Sequence, residues 1–248
     1  MNNTPAGLDP NGLENNGGPT PTIALLPSNP AINAIPLSPT NYCTAIDGVT
    51  AIATDQRGVT RPQGPACDIG AFERVPDALL LSYAANLHKG GSFVNLTNAG
   101  SVAGTDPAGD ICANVYVFAA DQQLIACCSC PLTPNHLRTL SVSSDLATNV
   151  VPPNLPNDVT VALVASTSCD PAAVTAVSLA EGLSAWRTTL HALAGGSYAV
   201  TENAFAIASL SASELAKLTS ICGFIQSNGS GSGICNTCAN GAQGANRK

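Results

Sequence analysis

The cysteines are the residues of this chain whose spacing most directly suggests chemistry. The segment Cys127–Cys130 contains three of them, Cys112 comes shortly before it, and Cys235–Cys238 is a Cys-x-x-Cys pair. Four thiolates can bind zinc tetrahedrally, so a zinc site is one hypothesis. A zinc ribbon, however, uses two separated Cys-x-x-Cys pairs, and only one is present. Adjacent residues of a strand also point to opposite faces, so Cys127 and Cys128 do not easily reach one ion.

Disulfides are the favoured interpretation of these residues. An even and high number of cysteines is typical of proteins from oxidising compartments. Cys43 and Cys67 lie 24 positions apart in sequence, and a disulfide there would contribute roughly 3 kcal/mol by loop entropy. A metal or redox role for this pair is the alternative. The full set of disulfide candidates is Cys43, Cys67, Cys112, Cys127, Cys128, Cys130, Cys169, Cys222, Cys235 and Cys238.

Two further pairings are predicted for the later cysteines. Cys112 is expected to bond to Cys128 or Cys130 across a hairpin. Cys222 is expected to bond to one member of the Cys235–Cys238 pair. That pair does not open a helix after a strand, so a thioredoxin-like redox motif is not indicated.

Titratable side chains give little indication of catalysis. Asp55 and Asp68 are the one pair of acids that suggests sugar cleavage, which needs two carboxyl groups about 5–10 Å apart. The three histidines, His88, His136 and His191, are widely separated. The chain has none of the common nucleophile, zincin or phosphate-loop motifs. The sequence therefore predicts no catalytic residue and no cofactor, and a truncated polysaccharide lyase or hydrolase is an alternative.

Arg57 and Arg61 lie close in sequence to Asp55 and Asp68. Arginine forks bind hydroxyl and carboxylate groups well, so a sugar-binding cluster is one hypothesis. The favoured interpretation is structural: these residues form ion pairs and turn hydrogen bonds that stabilise a cap.

Trp186 is the single tryptophan, and Tyr83, Tyr116 and Tyr198 lie in predicted strands. Exposed aromatic rings stack on sugars in carbohydrate-binding modules, so Trp186 is a possible glycan-stacking residue. The favoured alternative is that Trp186 packs in the core of a sandwich.

The segments that must position these residues are mostly short strands. Runs rich in β-branched and aromatic residues, separated by turn signals, predict a β-sandwich-like module over residues 76–203. The predicted strands cover residues 79–83, 92–97, 112–118, 124–130, 137–142, 159–165, 185–190 and 198–201. Trp186 comes too late for the cysteine–tryptophan–cysteine spacing of immunoglobulin domains, so only a sandwich-like fold is predicted.

Residues 204–248 differ from the strand-rich module. Ser211–Glu214 has the pattern of a helix capping box, and Asn228-Gly229 is a stop signal. An apolar stripe at helical spacing lies between them: Leu215, Leu218, Cys222 and Ile225. One C-terminal helix is therefore predicted, followed by a flexible tail that carries Cys235 and Cys238.

Composition excludes several classes of protein. Charged residues make up 10% of the 248 residues, against roughly 25% in an average soluble domain. The net charge is -7, without a basic patch, which argues against nucleic-acid binding. No run approaches the roughly 18 apolar residues of a membrane span.

The cysteines and the N-terminus point in different directions. The cysteines indicate export, but residues 1–7 have neither the charged nor the apolar region of a signal peptide. We therefore predict that Met1 is not the true start and that the chain is the C-terminal portion of a longer exported protein.

Four motifs in residues 16–73 resemble the C-terminal end of a choice-of-anchor Q domain. They are Asn-Gly-Gly-Pro-Thr-Pro-Thr at 16–22, Leu-Leu-Pro-x-x-Pro-Ala-Ile-Asn at 25–33, Thr-Asp-Gln-Arg-Gly-x-x-Arg-Pro at 54–62 and Cys-Asp-Ile-Gly-Ala-Phe-Glu at 67–73. The resemblance implies an exported bacterial protein with a right-handed parallel β-helix. Residues 1–75 would then be the last turns and cap of that β-helix, and the resemblance implies no catalytic residues.

The predicted fold class is mainly β: a β-helix cap, then a disulfide-rich sandwich-like module with one C-terminal helix. Because solenoids need about three or more repeats, the N-terminal edge of the cap is expected to pair with β-helical turns that precede it. The predicted role is non-catalytic, in structure or adhesion outside the cell or at its surface. Extracellular glycans or surface proteins are the expected partners, and a carbohydrate-binding module is the main alternative.

Overall fold

The structure is a computed structural model that describes residues 7–27, 29–45, 47–100, 109–150, 156–235 and 238. The chain divides into two compact units, Met1–Pro76 (unit 1) and Asp77–Lys248 (unit 2). Residues 204–248, which differ in sequence pattern from the strands before them, belong to the same unit as those strands.

Unit 2 is built from strands and one long helix. The strands are β1 (Leu79–Ala84), β2 (Ser92–Asn98), β3 (Ile111–Ala119), β4 (Leu124–Leu132), β5 (Leu137–Ser141), β6 (Val159–Ser166), β7 (Leu183–Ala192), β8 (Tyr198–Ala204) and β9 (Ala206–Ala208). The helix α1 covers Ala212–Ser227. Single turns of π-helix (Val142–Leu146) and 3₁₀-helix (Ala176–Ser178 and Ala194–Gly196) lie in the connections.

The strands form two antiparallel sheets. Sheet A has the order β4-β3-β6-β1-β9, and sheet B has the order β5-β2-β7-β8. Buried residues of both sheets belong to one hydrophobic core, to which sheet B contributes Val94, Leu96 and Leu140. The sequence-based prediction of a mainly β, sandwich-like module is therefore confirmed.

The two sheets differ in how their strands are covered. In β3, Ile111 to Val117 are all buried, so both faces of sheet A are covered there. All residues of β8 are exposed. β8 therefore lies at an open edge of sheet B, where one side is paired with β7.

Helix α1 begins and ends where the sequence predicts. Ser211 is the N-cap, and its Oγ accepts a hydrogen bond of 3.1 Å from the backbone N–H of Glu214. Leu215, Leu218 and Cys222 are the buried side chains of the helix, which packs against β4. An apolar stripe thus fixes which face of the helix joins the core.

Unit 1 is rich in loops. Its described residues form isolated antiparallel bridges, such as Leu8 with Leu25 and Ile35 with Cys67, and no longer ladder. The parallel β-helical turns implied by the resemblance are not present in the described part of unit 1. The many prolines of this unit explain the short pairing, because proline lacks the N–H that a ladder requires.

Candidate functional site

Every cysteine in the described residues is disulfide-bonded. Cys43 bonds to Cys67, as the sequence predicts. The remaining pairs are Cys112–Cys169, Cys127–Cys222, Cys128–Cys235 and Cys130–Cys238. No described cysteine thiol is therefore free to bind zinc or to act as a nucleophile.

The predicted partner of Cys112 is wrong, and the strand register explains why. Across the β3–β4 hairpin, Cys112 lies opposite Pro131. On its other side Cys112 lies opposite Ser166, at the end of β6. The chain continues from there to Cys169, which is the observed partner.

The predicted partners of Cys222 are also wrong. Cys222 is on the buried face of α1 and bonds to Cys127 of β4. The C-terminal segment runs beside β4, where the N–H of Cys127 donates to the carbonyl of Gly233. Adjacent residues of β4 point to opposite faces, so Cys127 and Cys128 bond to different segments, namely the helix and the tail.

Unit 1 contains a cluster of buried charges, here called the cap cluster: Asp55, Arg57, Arg61, Asp68 and Glu73. Asp55 Oδ1 accepts hydrogen bonds from the N–H groups of Arg57 and Val59 at 2.7 and 3.0 Å. Its Oδ2 accepts from Arg57 Nε at 2.8 Å and from the N–H of Glu73 at 2.9 Å. One carboxylate thus joins two turns and one arginine.

Glu73 is the member of the cap cluster that the sequence analysis missed. Its Oε1 accepts from the N–H of Gln63 at 2.8 Å and its Oε2 from the N–H of Asp68 at 2.9 Å. Arg61 lies beside it, with 3.6 Å between Nε and Oε2. Arg61 therefore faces the carboxylate of Glu73, and it donates to Asp68 only at the backbone carbonyl. The position of Glu73 at the end of the last motif was the one available signal.

Asp68 is held by the backbone. Its Oδ1 accepts from the N–H of Asn33 at 2.7 Å and its Oδ2 from the N–H of Arg74 at 2.6 Å. Asp55 and Asp68 are both buried, and each carboxylate oxygen has a donor. This geometry assigns the two carboxylates to loop positioning and gives no support to an acid–base pair for sugar cleavage.

The pKa values of Asp55 and Glu73 are shifted in opposite directions. Burial raises the pKa of Asp55, but hydrogen bonds from the Glu73 N–H, the Arg57 side chain and the Val59 and Arg57 N–H groups outweigh it. The pKa of Asp55 is therefore below its ordinary value. For Glu73, burial is the largest effect and the Asp68 charge adds to it, so its pKa is raised despite bonds from the Asp68 and Gln63 N–H groups.

The cap cluster also connects three of the sequence motifs. The guanidinium of Arg57 stacks 3.5 Å from the ring centroid of Phe72, and its Nη2 donates to the carbonyl of Glu73. Gly18, with φ near 87°, lies so close that a Cβ would be 2.8 Å from the Cα of Arg57. The Asn-Gly-Gly-Pro loop therefore needs glycine at this position in order to pack against the Asp-Gln-Arg-Gly turn.

Trp186 does not lie in the core as the favoured interpretation expected. It is half-buried and is not among the buried core residues. The register places Trp186 between Asn95 of β2 and Ala204 of β8. Leu183 and Ala185, which precede Trp186 in β7, are part of the core. By alternation, Trp186 projects from the opposite face of the sheet, which we call the outer face of sheet B.

A row of polar side chains crosses the outer face of sheet B from one edge strand to the other. Thr139 Oγ1 of β5 donates to Asn95 Oδ1 of β2 at 2.8 Å. Asn95 Nδ2 donates to Thr188 Oγ1 of β7 at 3.0 Å. Thr188 Oγ1 donates to Glu202 Oε1 of β8 at 2.8 Å. The row thus connects all four strands and ends at an exposed carboxylate.

Apolar side chains flank this row on the same face. Phe93 lies opposite Thr188, on the β2 side of it. Further along the strands, Leu190 pairs with Val200, and Ala192 pairs with Tyr198. Val200 and Tyr198 are 58% and 54% exposed. The outer face of sheet B therefore alternates apolar and hydrogen-bonding groups.

The histidines do not form a common site. His88 and His136 are exposed, and His191 of β7 is hydrogen-bonded to Thr201 of β8 at 2.9 Å. Within the described residues, no group of three or more His, Cys, Asp or Glu side chains could hold a metal ion. In the same residues, no helix combines the length and the apolar character needed to cross a membrane.

The described residues of unit 2 also form an open groove of about 630 Å³. It lies between the β3–β4 turn and the first turns of α1, and its lining includes Phe118, Gln122, Thr160, Glu214 and Lys217. None of the site residues predicted from the sequence lines this groove.

Comparison of the chain with protein-family models, with curated proteins and with solved structures finds no match.

Proposed function

We propose that this chain is a non-catalytic structural or adhesion module that works outside the cell or at its surface. The observation that carries the proposal is the pairing of all ten cysteines in five disulfides. Disulfides on this scale form and persist in oxidising compartments. Three of them connect the single strand β4 to the helix and the tail, which is an arrangement suited to a domain that must resist unfolding without chaperones.

The arrangement of the charged groups supports a structural role. In unit 1, the carboxylates of Asp55, Asp68 and Glu73 are buried and are used as acceptors for backbone N–H groups. Catalytic acids need access to substrate and a pKa matched to their task. The cap cluster instead stabilises loops that have almost no ladder of their own.

The proposal includes a β-helix that precedes unit 1. It is supported by the four motifs that resemble the end of a choice-of-anchor Q domain. Three of these motifs are also in contact, because the Gly18 loop and Phe72 both pack against Arg57. In this proposal, unit 1 covers the last turn of the β-helix, and unit 2 is the module presented to the surroundings.

The test is peptide mapping of the native protein, with and without reductant, together with protease accessibility on intact cells of the source. We expect five intramolecular disulfides and digestion by external protease. Mostly free thiols, or full protection from external protease in intact cells, would contradict the extracellular role.

The non-catalytic part of the proposal has its own test. The full chain is incubated with a panel of polysaccharides with and without divalent metals, and reducing ends or unsaturated products are measured. We expect no turnover. Turnover that disappears in Asp55→Asn, while the disulfides remain intact, would overturn this part and favour a lyase or hydrolase.

A further inference from the structure

We propose that the outer face of sheet B is a binding site for an uncharged polysaccharide, with Trp186 as the stacking residue. The inference rests on the extracellular role proposed above, because such polymers are found outside the cell. It assigns the partner class through which the adhesion module would act.

The apolar part of the site has the length of an extended ligand. Trp186 is paired with Ala204 across the β7–β8 ladder, and Tyr198 is paired with Ala192, which lies six residues after Trp186 in β7. Because a strand rises about 3.3 Å per residue, the two pairs that contain Trp186 and Tyr198 are roughly 20 Å apart. Two cross-strand pairs lie between them on the same face: the polar pair Thr188–Glu202 and the apolar pair Leu190–Val200. The apolar side chains along this length can thus contact the C–H faces of several consecutive sugar rings.

The polar part of the site offers both a donor and acceptors. The indole N–H of Trp186 donates to no atom of the described residues, and Glu202 Oε2 accepts from none of them. Glu202 Oε1 is already bonded to Thr188, which holds the carboxylate on the face. Sugar hydroxyls both donate and accept, so they can satisfy these groups, and a purely apolar partner cannot.

The charge of the face disfavours acidic ligands. The outer-face positions of the four strands contain neither lysine, arginine nor histidine, and Glu202 is their one charged residue. They are Leu137, Thr139, Ser141, Phe93, Asn95, Thr97, Ser184, Trp186, Thr188, Leu190, Ala192, Tyr198, Val200, Glu202 and Ala204. Acidic polysaccharides, nucleic acids and anionic lipids would all be repelled by this carboxylate.

A second copy of the chain is a poorer occupant of the same face. Symmetric packing would bring Glu202 of two copies into one apolar interface without a cation on the face to pair with either carboxylate. Burying an unpaired charge is costly. A hydrated polymer of hydroxyl groups leaves the carboxylate hydrogen-bonded and solvated.

The test is affinity electrophoresis of the full, oxidised chain in native gels that contain β-glucan, xylan, galactomannan or starch, followed by calorimetry on any polymer that retards it. Alginate and pectate are the acidic comparison polymers. We expect retardation by at least one uncharged polymer and none by the acidic ones. Binding that is confined to alginate or pectate, or retardation by no polymer, would overturn the proposal.

Trp186→Ala is the decisive variant. Loss of the stacking ring is expected to weaken binding about tenfold or more. Phe224→Ala is the matched control, because Phe224 is an aromatic residue of α1 that is 72% exposed, away from sheet B. Equal affinity of the two variants would contradict the assignment, provided that peptide mapping finds all five disulfides in both.

Two further variants separate stacking from hydrogen bonding. Thr188→Val keeps the shape of the side chain but interrupts the polar row, and Glu202→Gln removes its charge. Each is expected to weaken binding about fivefold, the effect of one hydrogen bond to a charged or fixed acceptor. Concentration-dependent dimerisation of the wild-type chain, lost in Trp186→Ala, would mean that this face binds a second copy.

The glycan test and the test of the proposed function fail in different ways. A surface-exposed, fully oxidised protein that binds no glycan retains the structural role and loses only this inference. A protein with free thiols inside the cell loses the extracellular role, whatever polymer it retains in a gel.

Discussion

Different kinds of interaction stabilise the interior of each of the two units. Unit 2 has two antiparallel sheets over one apolar core and four disulfides. Unit 1 has isolated bridges, one disulfide and the cap cluster of buried charges. Apolar burial tolerates many sequences, whereas a network of charges and backbone donors requires each partner in its place. The comparison therefore predicts that single polar changes matter most in unit 1 and single apolar changes in unit 2.

The largest effect is expected from Leu163→Ala in unit 2. Leu163 is fully buried in β6, at the centre of sheet A. The cavity should lower the free energy of unfolding by about 4 kcal/mol. Hydrogen-exchange mass spectrometry of the full chain should show faster exchange in the strands of unit 2 and unchanged exchange in residues 47–76. The control is Ile207→Ala, since Ile207 is 64% exposed; a similar effect of both variants would contradict the assigned core.

Removal of the disulfide Cys43–Cys67 is expected to have the next largest effect. Unit 1 contains only these two cysteines, and the double alanine variant should lose about 3 kcal/mol by loop entropy. Because unit 1 has no sheet in its described part, we expect limited proteolysis to cleave it rapidly.

Cys128→Ala with Cys235→Ala is the matched comparison in unit 2. The neighbouring disulfide Cys130–Cys238 already brings the tail to β4, so the lost bond closes a ring of only seven residues, 128–130 and 235–238. The entropic loss is therefore about 2 kcal/mol, and the core should keep unit 2 resistant to protease. Cleavage of both variants at similar rates would contradict the prediction that unit 1 depends on its disulfide more than unit 2 does.

Asp55→Asn is expected to destabilise unit 1 by about 2 to 3 kcal/mol, because an amide group would face backbone N–H donors in place of one carboxylate oxygen. The folded pKa of Asp55 is lowered, so its contribution is present above the unfolded pKa and is lost as pH falls through the folded value. The difference between wild type and variant, measured by hydrogen exchange from neutral to acidic pH, should shrink towards low pH. A difference that grows on acidification would contradict the role of the ionised carboxylate.

The smallest predicted effect is that of Phe72→Leu. Leucine keeps much of the apolar contact but removes the aromatic face under Arg57, so unit 1 should lose about 1 kcal/mol. Amide exchange around residues 55–59 reports this loss. Phe224→Leu, at an exposed helical position, should leave exchange throughout the chain unchanged, and a comparable change there would argue against a specific stacking effect.

Local patterns predicted much of unit 2. The β-branched runs mark the strands, and Ser211 with Glu214 marks the start of α1, because these signals depend on backbone preferences within a few residues. Most predicted strands, such as Ser92–Thr97, differ from the observed ones by one or two residues at their ends, whereas β8 continues three residues past its predicted end and β9 was not predicted. The sandwich-like class followed from the number of strands and the turns between them.

Contacts between distant segments were predicted poorly. Cys112 bonds to Cys169 rather than to β4, and Arg61 faces Glu73, which lies 12 residues away in sequence. The presence of a tryptophan at position 186 does not by itself tell whether its side chain points into the core or out of the sheet. A shift of one residue in strand register reverses the face of every side chain, and no local pattern contains that information.

The sequence by itself determined that the chain is mainly β, is rich in disulfides and has one capped helix after its strands. These properties follow from residue types and short spacings, which act through local backbone preference and the chemistry of cysteine. The tertiary structure alone decided how the eight cysteines of unit 2 pair, which acid holds Arg61, and that Trp186 lies on the outer face of sheet B. The Cys112 pair and the face of Trp186 depend on the register between strands far apart in the chain, and the partner of Arg61 depends on how the loops of unit 1 fold together. In each case burial and hydrogen bonding of the whole unit select one arrangement.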